Sequence, residues 1–147
     1  MKAGLGKRQK GAAALEFVAV FVIFFAVFYG VVSYGLPMLM LQSFNQASSE
    51  AVRRCVALDP TSASYRDDVD KMAKDVLGKQ LAWMPASLDF QLASDASVVL
   101  TPGNLLTVKI EYAKAKLTAV LPVLDLPAIG EVPRLPASLK AEASLQL

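Results

Sequence analysis

Between Phe17 and Leu41 lie 25 consecutive residues without a charge, most of them Val, Phe, Ala, Ile, Leu and Met. An α-helix rises 1.5 Å per residue, so about 20 such residues cross a bilayer core of roughly 30 Å. A single segment in lipid satisfies its own backbone N–H and C=O groups only as a helix. The run therefore predicts a membrane-spanning helix over residues 12 to about 36. At its head stands one acid, Glu16, and the next charged side chain is Glu50. A carboxylate at the edge of hydrocarbon is costly unless something pairs it or water reaches it.

The N-terminal flank is basic. Lys2, Lys7, Arg8 and Lys10 precede Gly11, so of the 15 basic residues 11 remain in the rest of the chain, against 13 acidic ones. Positive charge beside a span marks its cytoplasmic side, which puts the C-terminal body outside the cytoplasm. That body is slightly acidic and carries no basic face for nucleic acid. The apolar run is too long for a cleaved secretory signal, whose apolar region is usually about 7 to 15 residues before a small-residue cleavage site.

Three parts follow from this reading: an unstructured basic leader over 1–11, a helix over 12–58, and an α+β extracytoplasmic domain over 59–147. Pro37 lacks an N–H and clashes with the preceding turn, which predicts a kink or break. Beyond it, Phe44, Ala47, Ala51, Val52, Cys55 and Val56 recur at helical spacing, and the helix is expected to stop near Asp59-Pro60. A second, amphipathic helix is expected to begin near Thr61 to Ser64 and to bury Tyr65, Val69, Met72, Ala73, Val76 and Leu77. It would end at Gly78 or run on to Trp83 before Pro85.

The period then changes to two. Leu88, Phe90 and Leu92 suggest a half-buried strand. Ser97 to Leu100, the turn Thr101-Pro102-Gly103-Asn104, and Leu105 to Leu117 read as strand, turn, strand. Val108, Ile110 and Tyr112 share one face; the alternation reverses at Lys114 and Lys116, which implies a bulge or the end of pairing. Residues 118–137 hold four prolines and read as an irregular ordered loop. Leu139 to Leu147 alternate as a final strand. The fold class is α+β: a long N-terminal helix, a second amphipathic helix and a small antiparallel sheet.

Catalysis finds no foothold in these residues. There is no histidine, the usual general base and commonest metal ligand. Nucleophile-elbow and phosphate-loop patterns are missing too. Asp67, Asp68, Asp70 and Asp75 follow helical spacing without the turn glycine of a calcium loop, so neither a metal nor another cofactor is expected. With one cysteine, Cys55, no intramolecular disulfide forms. Cys55 reads as a small core residue, with an intermolecular disulfide as the alternative. Trp83 reads as core or interface.

A basic leader, a glycine, small or apolar residues, a glutamate and an aromatic residue ahead of an apolar helix resemble the type IV prepilin signature. The form Gly11-Ala12-Ala13-Ala14-Leu15-Glu16-Phe17 is most similar to the TadE group, pilin-like proteins of the bacterial tight-adherence (Flp) pilus. Ala47, Ala51, Arg53 and Arg54 fit that group too. Many such segments carry a proline midway along the apolar helix, whereas here the first is Pro37. TadF and TadG-like minor pilins and other pseudopilins share the outline.

The resemblance implies cleavage between Gly11 and Ala12 by a membrane prepilin peptidase. The leader charges Lys7, Arg8 and Lys10 would be lost with residues 1–11. It also implies that Glu16, flanked by Phe17, meets the new amino terminus of a neighbouring subunit. The expected partners are the peptidase, other pilin or pseudopilin subunits and the assembly platform. The expected location is the inner membrane with a periplasmic domain, with possible incorporation into an extracellular pilus. The expected roles are pilus assembly, adherence and biofilm formation. The alternatives are an unprocessed bitopic membrane protein with a partner-binding outer domain and, more remotely, an envelope enzyme.

Overall fold

The computed structural model describes residues 6–126 and 130–147. One helix, α1, runs unbroken from Gly6 to Cys55, 50 residues, or about 75 Å at the usual rise. It begins inside the leader that was expected to be unstructured. Lys7, Arg8, Gln9 and Lys10 are good helix formers with no proline after them, so the apolar helix propagates back through them. Pro37 does not break α1 either. Its ring is buried, Ser33 one turn earlier is buried with its hydroxyl donating to the Gly30 carbonyl (3.1 Å), and Met40 beyond it is fully buried. Packing on both sides of the proline outweighs the missing hydrogen bond.

From Gly11 to Phe28 every residue of α1 is exposed. From there on, one face is covered. Met40, Phe44, Ala47, Ala51, Val52 and Cys55 are buried at three- and four-residue spacing, the stripe of a helix that packs on a core. Val56 was expected on that stripe. It is 56% exposed, because the helix stops at Cys55 and turns, with the Leu58 N–H donating to the Cys55 carbonyl (3.1 Å). The Asp59 carboxylate then accepts from both the N–H (2.9 Å) and the hydroxyl (2.7 Å) of Thr61. Those bonds, the hydroxyl's first, hold its pKa below the ordinary carboxylate value.

Helix α2 spans Tyr65–Gln80 and passes through Gly78 without ending. Its buried stripe is Tyr65, Val69, Ala73, Val76 and Leu77, with Met72 partly buried. Ser64 stands at its N-cap but caps no backbone N–H; its hydroxyl bonds the Asp68 carboxylate (2.7 Å). Asp67 and Asp68 in the first turn answer the helix dipole instead. Asp70 and Asp75 pair with Lys74 and Lys79 one turn on (2.7 and 2.6 Å).

The expected strand at Leu88 to Leu92 is absent. A 3-10 turn, Ala86–Leu88, and a short helix α3, Leu92–Asp95, occupy that stretch. Asp89 adopts a left-handed conformation (φ 48°), which ends any extended run. Asp95, nearly buried, accepts from the Gln91 N–H (2.9 Å) and from Lys116 Nζ (2.8 Å), and Lys116 also reaches the Asp89 carbonyl (2.9 Å). Leu88 and Phe90 point inward all the same, the Phe90 ring lying 5.7 Å from that of Phe44. Alternating burial here comes from two tight turns.

Strands β1 (Ala96–Thr101), β2 (Leu105–Ala113) and, later, β5 (Ser138–Gln146) form an antiparallel sheet in the order β1-β2-β5. Val108 lies opposite Val98 and Ala143, and Tyr112 opposite Leu139. Leu106, Val108, Ile110 and Tyr112 form the buried face against α1. On the outer face Lys109 faces Glu142 and Glu111 faces Lys140 across strands, with Lys140 Nζ 2.9 Å from Glu111. The reversal after Tyr112 is the end of pairing, since Lys114–Thr118 form a short helix, α4.

Residues 118–137 are more regular than expected. β3 (Leu124–Leu126) pairs with β4 (Gly130–Val132) as a two-stranded ribbon. Part of that loop, 127–129, lies outside the described residues. This arm is fastened to α1. The Tyr29 hydroxyl donates to the Pro122 carbonyl, the Arg134 N–H donates to the Tyr34 hydroxyl (2.9 Å), and Pro133 is fully buried.

Candidate processing and assembly site

Gly11, Ala12, Glu16 and Phe17 all lie on the exposed first part of α1. A Cβ on Gly11 would meet no atom within 4 Å, and the backbone there is helical. Nothing in this fold requires glycine at that position. Glycine does weaken a helix by about 1 kcal/mol relative to alanine, which favours local unwinding to the extended form a protease grips. The backbone of Lys7, Arg8 and Lys10 belongs to the same helix; their side chains, and Lys2 altogether, lie outside the described residues.

Glu16 and Glu50 make an instructive pair, since both are carboxylates on one helix. Glu50 has Arg54 one turn later at 2.7 Å, and that bond lowers its pKa below the ordinary value. One turn on either side of Glu16 stand Ala12 and Val20. Among the described residues no side chain pairs with Glu16. The Ala12 nitrogen lies about 6 Å from Glu16 along the axis.

Phe17 heads a stacked row. Its ring lies 6.1 Å from Phe21, Phe21 lies 6.3 Å from Phe25, and Phe24 lies 6.2 Å from Phe28. At 3.6 residues per turn these five rings fall within an arc of about 100°. The face that carries the body (Met40, Phe44, Ala47, Ala51, Cys55) is rotated from it by roughly 130°. Val31, Val32 and Leu39, all exposed, continue the aromatic side upward. The rod thus offers a free apolar face on the side its own body leaves open. Gly30 and Gly35 have open space where a Cβ would stand.

Sequence reasoning singled out Phe17 but missed Tyr29 and Tyr34, the two residues that seat the arm. Two tyrosines in an otherwise greasy run are the signal that could have found them, since such rings favour the edge of a bilayer. Cys55 is buried as expected, its thiol donating to the Val69 carbonyl (3.6 Å) and its pKa raised by burial. Trp83 lies at the surface, 43% exposed.

The family model for TadE-like proteins matches residues 11–53. The match begins at Gly11 and ends two residues short of the end of α1, so it covers the exposed rod and the helical spine of the body. No curated protein and no solved structure matches the chain. Helix α1 is long and apolar enough to cross a membrane.

Proposed function

We propose, from the TadE-like match over residues 11–53, that this chain is a minor pilin or pseudopilin of a tight-adherence type IV pilus. It is made with the leader 1–11, cut between Gly11 and Ala12 by a prepilin peptidase, and held in the inner membrane by α1 with its body in the periplasm. It then joins other pilin subunits or the assembly platform, and through them serves pilus assembly, adherence and biofilm formation.

One observation carries this reading: among the described residues no side chain pairs with Glu16, on a rod whose exposed residues from Gly11 to Phe28 include no other charge. Cleavage removes the cationic leader and leaves an α-amine near hydrocarbon. Opposite charges attract far more strongly there than in water, although desolvation offsets much of the gain. The Glu16 contact with a neighbour's amine therefore sets register between subunits more than it adds stability. The Phe17–Phe28 face supplies apolar packing area, and the body, displaced to another side of the rod, leaves that face free.

The test is the intact mass of the chain in cells with and without the peptidase. Loss of residues 1–11 only when the peptidase is present is the expected result; identical masses that retain those residues refute it. A second arm uses Glu16→Gln, which keeps the shape of the side chain. It should be cut and inserted normally but fail to co-purify with filament or platform components; undiminished co-purification would remove Glu16 from assembly.

A further inference from the structure

The structure assigns a second lipid contact to this chain. We propose that the arm, over residues 119–126 and 130–137, rests in the outer interfacial layer of the bilayer, beside α1. The inference rests on the reading of α1 as a membrane span.

The first argument is height along the rod. From Gly11 to Tyr29 is 18 residues, about 27 Å of helix, close to the roughly 30 Å of a hydrocarbon core. With the Gly11 end at the inner boundary, Tyr29 stands at the outer one and Tyr34 just beyond, both within the stretch that has no charge before Glu50. The arm is bonded to these two side chains, through the Pro122 carbonyl and the Arg134 N–H. The first fully buried apolar residue of α1, Met40, lies 11 residues further up, about 16 Å. The arm is thus attached to the helix at the bilayer edge, below the core of the body.

The second argument is composition and sidedness. Ala119 to Leu126 contain one charge, Asp125. Val120 and Leu124 are 41% and 37% exposed, although a ribbon in water would do better with polar residues there. In β3 and β4, Leu124 lies opposite Val132, and Asp125 opposite Glu131. Strand residues alternate between faces, so the two acids share one face and Leu124 and Val132 the other. Glu131 pairs with Lys114 (3.2 Å) while its side chain stays 60% exposed, so the acidic face remains open to water or headgroups. The same acids limit depth, because a carboxylate is tolerated among headgroups but not at the bilayer centre. A shallow seat at the acyl–headgroup boundary meets both demands, and it continues the lipid contact of the rod itself.

The experiment places one tryptophan at a time in the full-length chain, with Trp83→Phe as background. The protein is reconstituted in phosphatidylethanolamine–phosphatidylglycerol vesicles containing a phosphatidylcholine brominated high on its acyl chain. Phe21→Trp reports on the span and Ala63→Trp on the far end of the body. Leu124→Trp and, as an independent site, Val120→Trp report on the arm. The proposal expects the two arm variants to be quenched at least half as strongly as Phe21→Trp, with blue-shifted emission, and Ala63→Trp not to be quenched. Unquenched arm variants beside a quenched Phe21→Trp overturn the proposal and leave the span intact, including the case where a second copy of the chain covers the arm. If Phe21→Trp is also unquenched, the span reading beneath the proposal falls with it.

Discussion

Tyr112 joins the sheet to the turn that replaced the expected strand, and removing its hydroxyl is a sharp test of that packing. The side chain is fully buried, and its hydroxyl donates to the Leu88 carbonyl at 2.6 Å. Its ring lies 6.0 Å from Phe44 and 6.4 Å from Phe90. Tyr112→Phe keeps these ring contacts and orphans the carbonyl, which costs about 1–3 kcal/mol. For a body of this size each kcal/mol lowers Tm by roughly 4–8 °C. Burial first, then the Asp95 and Asp89 carboxylates, push the Tyr112 pKa up to about 12. The folded state therefore prefers the neutral hydroxyl. That preference contributes fully below pH ~10, the ordinary tyrosine value, and is lost as pH rises through about 12; at ~1.4 kcal/mol per pKa unit it amounts to about 3 kcal/mol. The parent should thus lose stability between pH ~10 and ~12 by more than the variant, and the gap between them should close. Thermal unfolding of the full chain in detergent, followed by near-ultraviolet circular dichroism across that pH range, measures both effects. A variant as stable as the parent at neutral pH, with the same alkaline decline, would refute the account.

Three further outcomes use the same unfolding assay or a simple label. Phe44→Ala should destabilise the body by about 3–5 kcal/mol, because Phe44 is fully buried between Phe90 and Tyr112; a loss under 1 kcal/mol would mean that the three rings do not form one core. Lys116→Met strips the nearly buried Asp95 of its cation and should cost on the order of 3 kcal/mol. Lys116→Arg should recover part of that loss, and full tolerance of methionine would show that the pair is solvated. Cys55, buried and with a raised pKa, should resist a water-soluble alkylating reagent in the native protein and react after unfolding; rapid native labelling would contradict its place under α2.

The helices and the principal sheet were legible because their signals are periodic and local. The stripe from Phe44 to Cys55, the stripe from Tyr65 to Leu77 and the alternation at Val108, Ile110 and Tyr112 each follow from which side chains must leave water. The strand expected at Leu88–Leu92 failed for a long-range reason. Its alternation is real, but Asp95 is claimed by Lys116, 21 residues away, and the turns are built around that pair. The Pro37 break failed similarly, since burial against the body holds the helix on both sides. The arm was illegible because its order comes from two tyrosine hydroxyls in a segment 90 or more residues away. At the N-terminus, Gly11, Glu16 and Phe17 stand out by their order between the basic leader and the apolar run and by the resemblance to the prepilin signature. The fold adds that Gly11 is not needed for packing, that among the described residues no side chain pairs with Glu16, and that Phe17 opens a row of rings.

The unbroken course of α1 through Pro37 has a mechanical meaning. With no swivel between the rod and the body, the azimuth of the body is locked to the azimuth of the aromatic row. Inserting one residue between Phe28 and Met40 would turn one against the other by about 100° while lengthening the rod by only about 1.5 Å. A torque applied at the N-terminal end of α1 would therefore reach the far end of the body as a rotation.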